Sequence, residues 1–217
     1  MNKAGKIVSI CGIALGVLVA AGFSAYVWHV NNVRHPKYLL VATDGDIELR
    51  DYPALVVAEV TREGDRWNAV SRGFGPLAAY IFAKERDGDR ISMTAPVTQR
   101  RREPIAMTAP VTQTPAASSG SWVIRFIMPA NYSLESLPKP VGSDVRLAKF
   151  PAQRRAVIRF SGVTTNELID AKESALRKWL MERGLRPVGE PTYAYYNHPI
   201  TPGFLRRNEV MFDVTND

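Results

Sequence analysis

The residue types that most often carry out catalysis are sparse in this 217-residue chain. His198 is the only histidine in the main part of the sequence, because His29 and His35 lie near the N-terminus. A nucleophilic site needs a hydroxyl or thiol beside a base, and the sequence contains no G-x-S-x-G turn and no phosphate-binding loop. Asp44 and Asp46 fit turn positions better than a catalytic pair. We therefore expect a protein that is not an enzyme.

The composition excludes a metal centre built from cysteines and histidines. The single cysteine, Cys11, lies in an apolar N-terminal segment, so no disulfide can form within the chain. Met93 and Met107 are soft enough to bind a metal, but methionines on apolar strands are more often packing residues. A ligand-binding site in this chain is therefore expected to consist of apolar side chains and arginines.

The charge distribution does not indicate a nucleic-acid partner. The formal net charge is +7, but the first 37 residues contain four basic residues and no acidic one. The remainder is only slightly basic, as ordinary protein surfaces are. A run of three arginines at residues 100–102 is interpreted as a solvated hairpin loop, with a patch that faces phospholipid as the alternative.

Residues 7–30 form a run of 24 residues without a formal charge, preceded by Lys3 and Lys6. A bilayer span needs about 20 apolar residues, whereas the apolar core of a signal peptide has about 7–15. We interpret the run as a single-pass membrane anchor, with a cleaved signal as the alternative. The positive charge before the run favours a cytoplasmic tail at 1–6 and an extracytoplasmic, periplasmic domain at 38–215, after a linker at 31–37.

Two internal repeats organise the rest of the chain. Residues 91–99 (ISMTAPVTQ) recur with one change as residues 105–113 (IAMTAPVTQ), which predicts two adjacent antiparallel strands. At an offset of 98, residues 45–68 and 143–166 share seven identities. Each of these copies reads as strand, Pro-Ala turn, strand and helix start. Two such copies predict a duplicated domain with pseudo-two-fold symmetry.

Apolar residues at spacings of three and four predict one amphipathic helix in each half. The first stripe consists of Trp67, Val70, Phe74, Leu77 and Ile81. Pro76 falls inside it and should kink or restart the helix. The second stripe covers residues 168–180, and Gly184 is expected to end that helix as its C′ residue.

Four motifs in this order resemble the SOUL family of haem-binding proteins: RDYP at residues 50–53, the two MTAPV strands, and YNHPITPGFLRRNEV at residues 196–210. The resemblance covers about residues 38–215. It implies an α+β domain of two similar halves, each a small antiparallel sheet with a helix. It also implies non-covalent binding of haem or another tetrapyrrole. The fold is similar to the effector-binding domains of some bacterial regulators, which hold apolar drugs in a cleft.

The resemblance places the ligand cleft between the first helix and the C-terminal loop. On this sequence the apolar walls are Phe74, Leu77, Ala78 and Ile81 on the helix, and Ile200, Phe204 and Leu205 on the loop. Candidate partners for the haem propionates are Arg72, Arg206 and Arg207, since arginine suits bidentate recognition of carboxylates. His198 is a candidate axial ligand. The same residues also fit plainer roles, in the core, in surface ion pairs or on an exposed loop.

These observations predict a membrane-anchored protein that carries or buffers a tetrapyrrole without turnover. A sensor of another apolar small molecule would use the same cleft. A third alternative is an envelope scaffold whose cleft no longer binds a ligand.

Overall fold

The computed structural model describes residue 22 and residues 35–84, 86–101, 120–197 and 200–215. The chain divides into two compact units, Met1–Val33 and Arg34–Asp217. Every strand and helix named below belongs to the second unit.

Within the described residues, the second unit contains nine strands and two α-helices. The strands are β1 (Leu39–Asp44), β2 (Ile47–Tyr52), β3 (Leu55–Glu63), β4 (Val97–Arg101), β5 (Ser121–Ile127), β6 (Arg146–Phe150), β7 (Gln153–Phe160), β8 (Arg186–Tyr195) and β9 (Asn208–Thr215). The helices are α1 (Arg66–Ile81) and α2 (Asn166–Glu182), and a short 3-10 helix spans Gly203–Leu205.

The nine strands form a single antiparallel sheet in the order β1-β2-β7-β9-β8-β4-β5-β3-β6. The predicted fold class, with two small sheets and a preceding transmembrane helix, is therefore wrong. The two halves exchange pairing partners: β2 pairs with β7, β3 with β6, and β4 with β8. These three ladders between the halves satisfy backbone groups that two separate sheets would leave at their edges.

The strand order is symmetric with respect to the two halves. In this symmetry β2, β3, β4 and β5 of the first half correspond to β6, β7, β8 and β9 of the second half. If each strand is exchanged with its counterpart, the order read from the opposite end of the sheet is the same. β1 is an additional strand outside this correspondence. The links after Tyr52 and after Phe150 occupy equivalent places, and each connects two strands that do not pair with each other.

The same links show that the sheet curls strongly. β2 is second in the order and β3 is eighth, yet only Pro53 and Ala54 separate them in sequence. Six strand spacings would cover about 29 Å on a flat sheet, whereas the peptide units from Tyr52 to Leu55 reach only about 11 Å. The ends of the sheet must therefore approach each other, and the sheet encloses an interior as a barrel does.

Both helices pack on the outer face of this sheet, where the main hydrophobic core lies. α1 buries Ala69, Gly73, Leu77, Tyr80 and Ile81, and it packs against β3 and β5. α2 buries its apolar face against β7, β8 and β9. The core is thus a layer between two helices and one curved sheet.

Local sequence determines where each helix begins and ends. The side chains of Asp65 and Thr165 accept backbone N–H groups at the starts of α1 and α2, as N-cap residues do. α2 ends in a Schellman motif: Gly184, at φ +67°, donates its N–H to Met181, and Leu185 donates to Leu180. The prediction for Gly184 is confirmed, and α1 continues through Pro76 as one helix.

The inner face of the sheet carries charged side chains as well as apolar ones. Side chains alternate along β9, so Val210 and Phe212 join the outer core while Glu209, Met211 and Asp213 point inward. Met211 packs in a small apolar cluster with Val157 and Ala194. The interior carboxylates have arginine partners, because a buried charge without a partner is strongly destabilising.

Only the last three residues of the first copy of the duplicated motif, 97–99, belong to β4. A strand begins only at Val97 in the first copy, and β5 and β8 occupy the two edges of β4. Pairing with the second copy is therefore not available to β4, and residues 105–113 of that copy lie outside the described residues. Arg100 and Arg101, which the sequence assigned to a hairpin loop, belong to β4.

The structure contradicts the predicted membrane anchor and, with it, the single-pass membrane localisation. Among the residues that the structure describes, no helix is long and apolar enough to cross a membrane. α1 and α2 have 16 and 17 residues and carry charged side chains, whereas a span needs about 20 mostly apolar residues. Of the predicted span at 7–30, only Gly22 lies within the described residues.

Candidate ligand-binding site

An apolar cleft opens on the outer face of the sheet, between α1 and the segment that leads into β9. Its volume is about 310 Å³, at the lower end of the range for small-molecule pockets. The residues that line it are Trp67, Val70, Ser71, Phe74, Val97, Thr164, Tyr195, Asn197, Arg206 and Asn208.

α1 supplies the apolar wall of the cleft. Trp67, Val70, Ser71 and Phe74 follow the i, i+3, i+4, i+7 pattern and therefore lie on one side of the helix. The Phe74 ring packs edge-on against Phe126 of β5 at 5.2 Å between ring centres, which fixes its orientation. Trp67 is 54% exposed and Phe74 is 39% exposed, so both large rings have surface available to a ligand.

A hydrogen-bonded set of polar groups forms the base of the cleft. Val97 and Tyr195 lie opposite each other in the ladder between β4 and β8. The Tyr195 hydroxyl accepts a hydrogen bond from Arg66 Nη1 at 3.1 Å and donates to Gln99 Oε1 at 3.4 Å. Gln99 Nε2 in turn donates to the Arg66 carbonyl at 2.8 Å. These groups hold one another in place below the apolar wall.

The segment before β9 forms the polar rim. Arg206 Nε donates to the Thr201 carbonyl at 2.7 Å, and Asn208 Nδ2 donates to the Gly162 carbonyl at 3.0 Å. Asn197 Oδ1 accepts the backbone N–H of Arg207 at 2.6 Å. Among the lining residues Arg206 carries the formal charge, so a ligand carboxylate would be drawn to this side of the cleft.

The structure distributes the predicted helix residues between the cleft and the core. Phe74 lines the cleft. Leu77 and Ile81 are 0% and 1% exposed and belong to the core. Ala78 is half-buried and is not among the lining residues. Arg72 is exposed, and its guanidinium donates to the Glu63 carbonyl.

The predicted loop residues are largely exposed. Ile200, Phe204 and Leu205 are 81%, 77% and 40% exposed, and none of them lines the cleft. Arg206 does line it. Arg207 pairs with Glu209 at 2.6 Å, the plainer of its two expected roles.

The predicted iron ligands do not lie in the described part of the cleft. His198 and Met107 lie outside the described residues. Met93 packs against the main core. The haem contacts assigned from the sequence remain predictions.

Several lining residues were missed by the sequence reading. Val97, Thr164, Tyr195, Asn197 and Asn208 come from four separate parts of the chain that only the strand order brings together. Val97 belongs to the MTAPV motif and Asn197 to the C-terminal motif, so motif membership was the available signal. Ser71 is an exposed polar residue between two apolar stripe positions and carried no signal of its own.

The lining residues that the structure describes include no His, Cys, Asp or Glu side chain. The described residues contain no group of three or more His, Cys, Asp or Glu side chains that could hold a metal ion. Of the ten lining residues, Tyr195 is the one whose type ligates haem iron in some proteins. Burial raises the pKa of Tyr195, although the charge of Arg66 opposes this, so the phenol stays protonated.

Comparisons with known proteins identify a family and a fold. The profile of the SOUL heme-binding protein family matches residues 33–213. No curated protein matches the chain. Among solved structures, it is similar to the EcmrR C-terminal domain, with a TM-score of 0.58 and 12% identity over 83% of this chain and 99% of that one. It is also similar to a hydrolase from Listeria innocua, with a TM-score of 0.53 and 13% identity over 81% and 94%. At these identities the similarity shows the fold alone.

Proposed function

Because this chain belongs to the SOUL heme-binding protein family, we propose that its apolar cleft binds haem or a related tetrapyrrole non-covalently. The observation that carries the proposal is the combination of two exposed aromatic rings, Trp67 and Phe74, with Arg206 at the rim of one cleft. A flat macrocycle needs an apolar surface for its ring and a cation for its carboxylates, and these residues offer both.

The described residues of the cleft match the apolar macrocycle of haem better than they match its iron. Bound haem supplies an iron centre and an intense Soret absorption band. The chain supplies apolar contact from α1, a hydrogen-bonded base and the guanidinium of Arg206. His198 follows Asn197 of the rim and is retained as the candidate axial ligand. Binding would then depend mainly on burial of apolar area, at about 25 cal/mol per Å² before the costs of association.

We propose a carrier or buffer role because the polar groups of the cleft are engaged in structure. Tyr195 is hydrogen-bonded to Arg66 and Gln99, and Asn208 to Gly162. Among the described residues that line the cleft there is no His, Cys, Asp or Glu, so they do not form a nucleophile with an adjacent base.

A second candidate function follows from the same lining. Since the described residues of the cleft present no axial ligand, a flat apolar molecule without iron would fit equally well. The protein would then sense or bind that molecule with the same α1 wall.

The test is a haem titration of the full chain, followed by the Soret band. Ser71 is exposed and lines the cleft, so Ser71→Trp fills the cleft without disturbing the core. We expect this variant to weaken haem binding at least about tenfold, which corresponds to about 1.4 kcal/mol. Ser143→Trp, on an exposed loop outside the cleft, is the matched control and should bind as the wild type does.

Normal haem binding by Ser71→Trp would refute the cleft as the haem site. His198→Ala tests axial ligation, because it should shift the Soret maximum only if His198 coordinates iron. If haem gives no saturable Soret change, while an apolar fluorescent probe binds the wild type and not Ser71→Trp, the second candidate function is supported instead.

A further inference from the structure

In the described part of the chain, one end of the barrel interior is lined by arginines. A cavity of about 500 Å³ lies there, and its walls include Arg100, Arg125, Phe150, Val188 and Asp213. Arg125 also lines a second cavity of about 20 Å³, together with Arg155 and Phe150. Both cavities are on the opposite face of the sheet from the apolar cleft, because residues alternate along β5.

Asp213 is shared by two arginines at this end. Its carboxylate accepts a hydrogen bond from Arg155 Nε at 2.8 Å and another from Arg100 Nη1 at 3.0 Å. The three side chains are 5%, 7% and 19% exposed, in the order Asp213, Arg155, Arg100. One negative charge therefore faces two positive charges in a largely buried place.

Glu59 repeats this arrangement on the neighbouring strands. It accepts hydrogen bonds from Arg125 Nε at 2.8 Å and from Arg146 Nη2 at 2.7 Å. Glu59 and Arg125 are 10% and 17% exposed, while Arg146 is 76% exposed. Together with the Asp213 group, four guanidinium groups pair with two carboxylates, which is an excess of two positive charges among the described residues.

Two of these arginines have terminal guanidinium nitrogens that donate to none of the described residues. Arg125 and Arg155 reach their carboxylates through Nε, and their Nη1 and Nη2 atoms donate to no residue within the described ranges. Both guanidinium carbons lie over the Phe150 ring, at 5.2 and 5.0 Å from its centre. Burial lowers the pKa of Arg125. Glu59 acts in the opposite direction and raises this pKa, while the positive charges of Arg100 and Arg155 lower it further.

The arginine excess is not a general property of the interior. Four residues earlier along β9, Glu209 and Glu48 face Arg50 and Arg207, so two carboxylates balance two guanidinium groups. That cluster is sealed, since the Arg50 and Glu209 side chains are 1% and 0% exposed. In the unbalanced cluster, by contrast, Arg100, Arg125 and Asp213 line the cavity of about 500 Å³.

We propose that the arginine-lined end of the barrel interior binds a small organic phosphate monoester. A phosphate monoester carries between about −1.5 and −2 charges at pH 7, which matches the two unbalanced positive charges. Guanidinium groups recognise such oxygens through paired N–H donors. Arg125 and Arg155 can offer Nη1 and Nη2 as such donors. The organic group would rest on Phe150, Val123 and Val188, which supply the apolar part of the wall.

The test uses the full chain and phenyl phosphate as the probe, with binding measured by isothermal titration calorimetry at low ionic strength. Benzoate has one charge fewer, and benzyl alcohol has none. We expect phenyl phosphate to bind at least about tenfold more tightly than benzoate, and benzyl alcohol not to bind, because charge matching contributes most of the affinity. Higher salt should weaken the binding of phenyl phosphate.

Arg125→Gln should weaken phenyl phosphate binding at least about tenfold. Arg62→Gln is the matched control, since Arg62 pairs with Asp144 outside the cavity and its loss should leave the affinity unchanged. If Arg125→Gln does not fold, Arg100→Gln replaces it, because Asp213 then keeps Arg155 as its partner.

Equal affinity for phenyl phosphate and benzoate, or unchanged affinity in the Arg125→Gln or Arg100→Gln variant, would overturn the proposal. So would the absence of saturable binding to the wild type at millimolar phenyl phosphate. The result is independent of the haem proposal: Ser71→Trp, which fills the outer cleft, should bind phenyl phosphate as the wild type does. Loss of phosphate binding in Ser71→Trp would show that the probe occupies the outer cleft instead.

Discussion

Glu209 is the residue whose replacement should most sharply reveal how the barrel interior is stabilised. Its carboxylate is 0% exposed and accepts hydrogen bonds from Arg50 at 3.0 and 3.2 Å, from Arg207 at 3.0 and 2.6 Å, and from Tyr196 at 2.6 Å. Glu209→Gln keeps the shape of the side chain but removes its charge. Arg50, which is 1% exposed, would then lose its bidentate carboxylate partner and keep only its pair with Glu48 among the ion pairs described here.

The expected cost is large because the arginine cannot move to solvent. Removing one partner of a buried ion pair typically lowers the free energy of unfolding by about 3–5 kcal/mol. For a domain of this size, each kcal/mol corresponds to about 2–4 °C in Tm, so Glu209→Gln should lower Tm by roughly 6–20 °C. Urea unfolding followed by circular dichroism gives the free energy directly, with an unchanged m value if the fold is kept.

Asp144→Asn is the control for this prediction. Asp144 also forms a bidentate pair with an arginine, Arg62, but its side chain is 52% exposed. Solvent screens that pair, so the loss should be about 0–1 kcal/mol. If Glu209→Gln costs no more than Asp144→Asn, the interior cluster is hydrated in solution and the argument from burial is wrong.

Two further predictions concern pH and packing. Burial opposes ionisation of Glu209 most strongly, but the charge and hydrogen bonds of Arg50 outweigh it and hold the pKa below the ordinary 4.5. The stability from this carboxylate is therefore complete above about pH 4.5 and lost as the pH falls through the folded-state pKa, so the gap between wild type and Glu209→Gln should narrow in acid-unfolding measurements. In α1, a Cβ at Gly73 would lie 2.9 Å from Ile124, whereas one at Gly75 would meet nothing within 4 Å. Gly75→Ala should stabilise the protein by about 0.5–1 kcal/mol, because alanine is the better helix former. Gly73→Ala should destabilise the protein by about 1–2 kcal/mol, because its Cβ would overpack against Ile124. Equal shifts of Tm for the two variants in calorimetry would contradict this.

The helices could be predicted from sequence because their determinants are local. The first apolar stripe, from residue 67 to 81, matches Arg66–Ile81, and the second, 168–180, lies within Asn166–Glu182. Hydrogen bonds and side-chain spacing in a helix connect residues only three or four apart. The glycine that ends α2 is recognisable for the same reason.

The sheet could not be predicted because its pairings are distant and its halves are alike. Leu49 pairs with Ala156, and Val57 with Ala148. Two similar strand–proline–strand units can pair within each half or between halves with the same local pattern. The choice depends on contacts around the whole barrel, and no single motif records it.

The direction of the α1 stripe was misread for a steric reason. Ala69 is fully buried and Gly73 lies against Ile124 of β5, and neither contributes much to an apolar pattern. The bulky rings of Trp67 and Phe74 therefore sit at the edge of the buried face, where they line the cleft. Leu77 and Ile81 look equally suited to a ligand in sequence but lie in the core.

The polar interior shows a second limit of pattern reading. Alternating polar residues on a strand usually indicate a solvated face. Here the sheet curls around its own inner face, so Arg50, Arg155 and Glu209 are buried although they occupy alternating positions. Their partners lie on other strands, and only the closed arrangement makes their burial tolerable.

β5 connects the two proposed sites physically. Phe126 faces outward and supports Phe74 in the apolar cleft, while Arg125, the residue before it, faces inward beside Phe150. A slip of one residue in the pairing of β5 would place the guanidinium under α1 and the phenyl ring in the interior, which would remove both sites together. Because β3 and β4 hold β5 on its two edges in unbroken register, from Val57 with Ile127 to Glu63 with Ser121 on one side, that slip is prevented. The register that buries the core on one face thus also places Arg125 beside the two cavities on the other face.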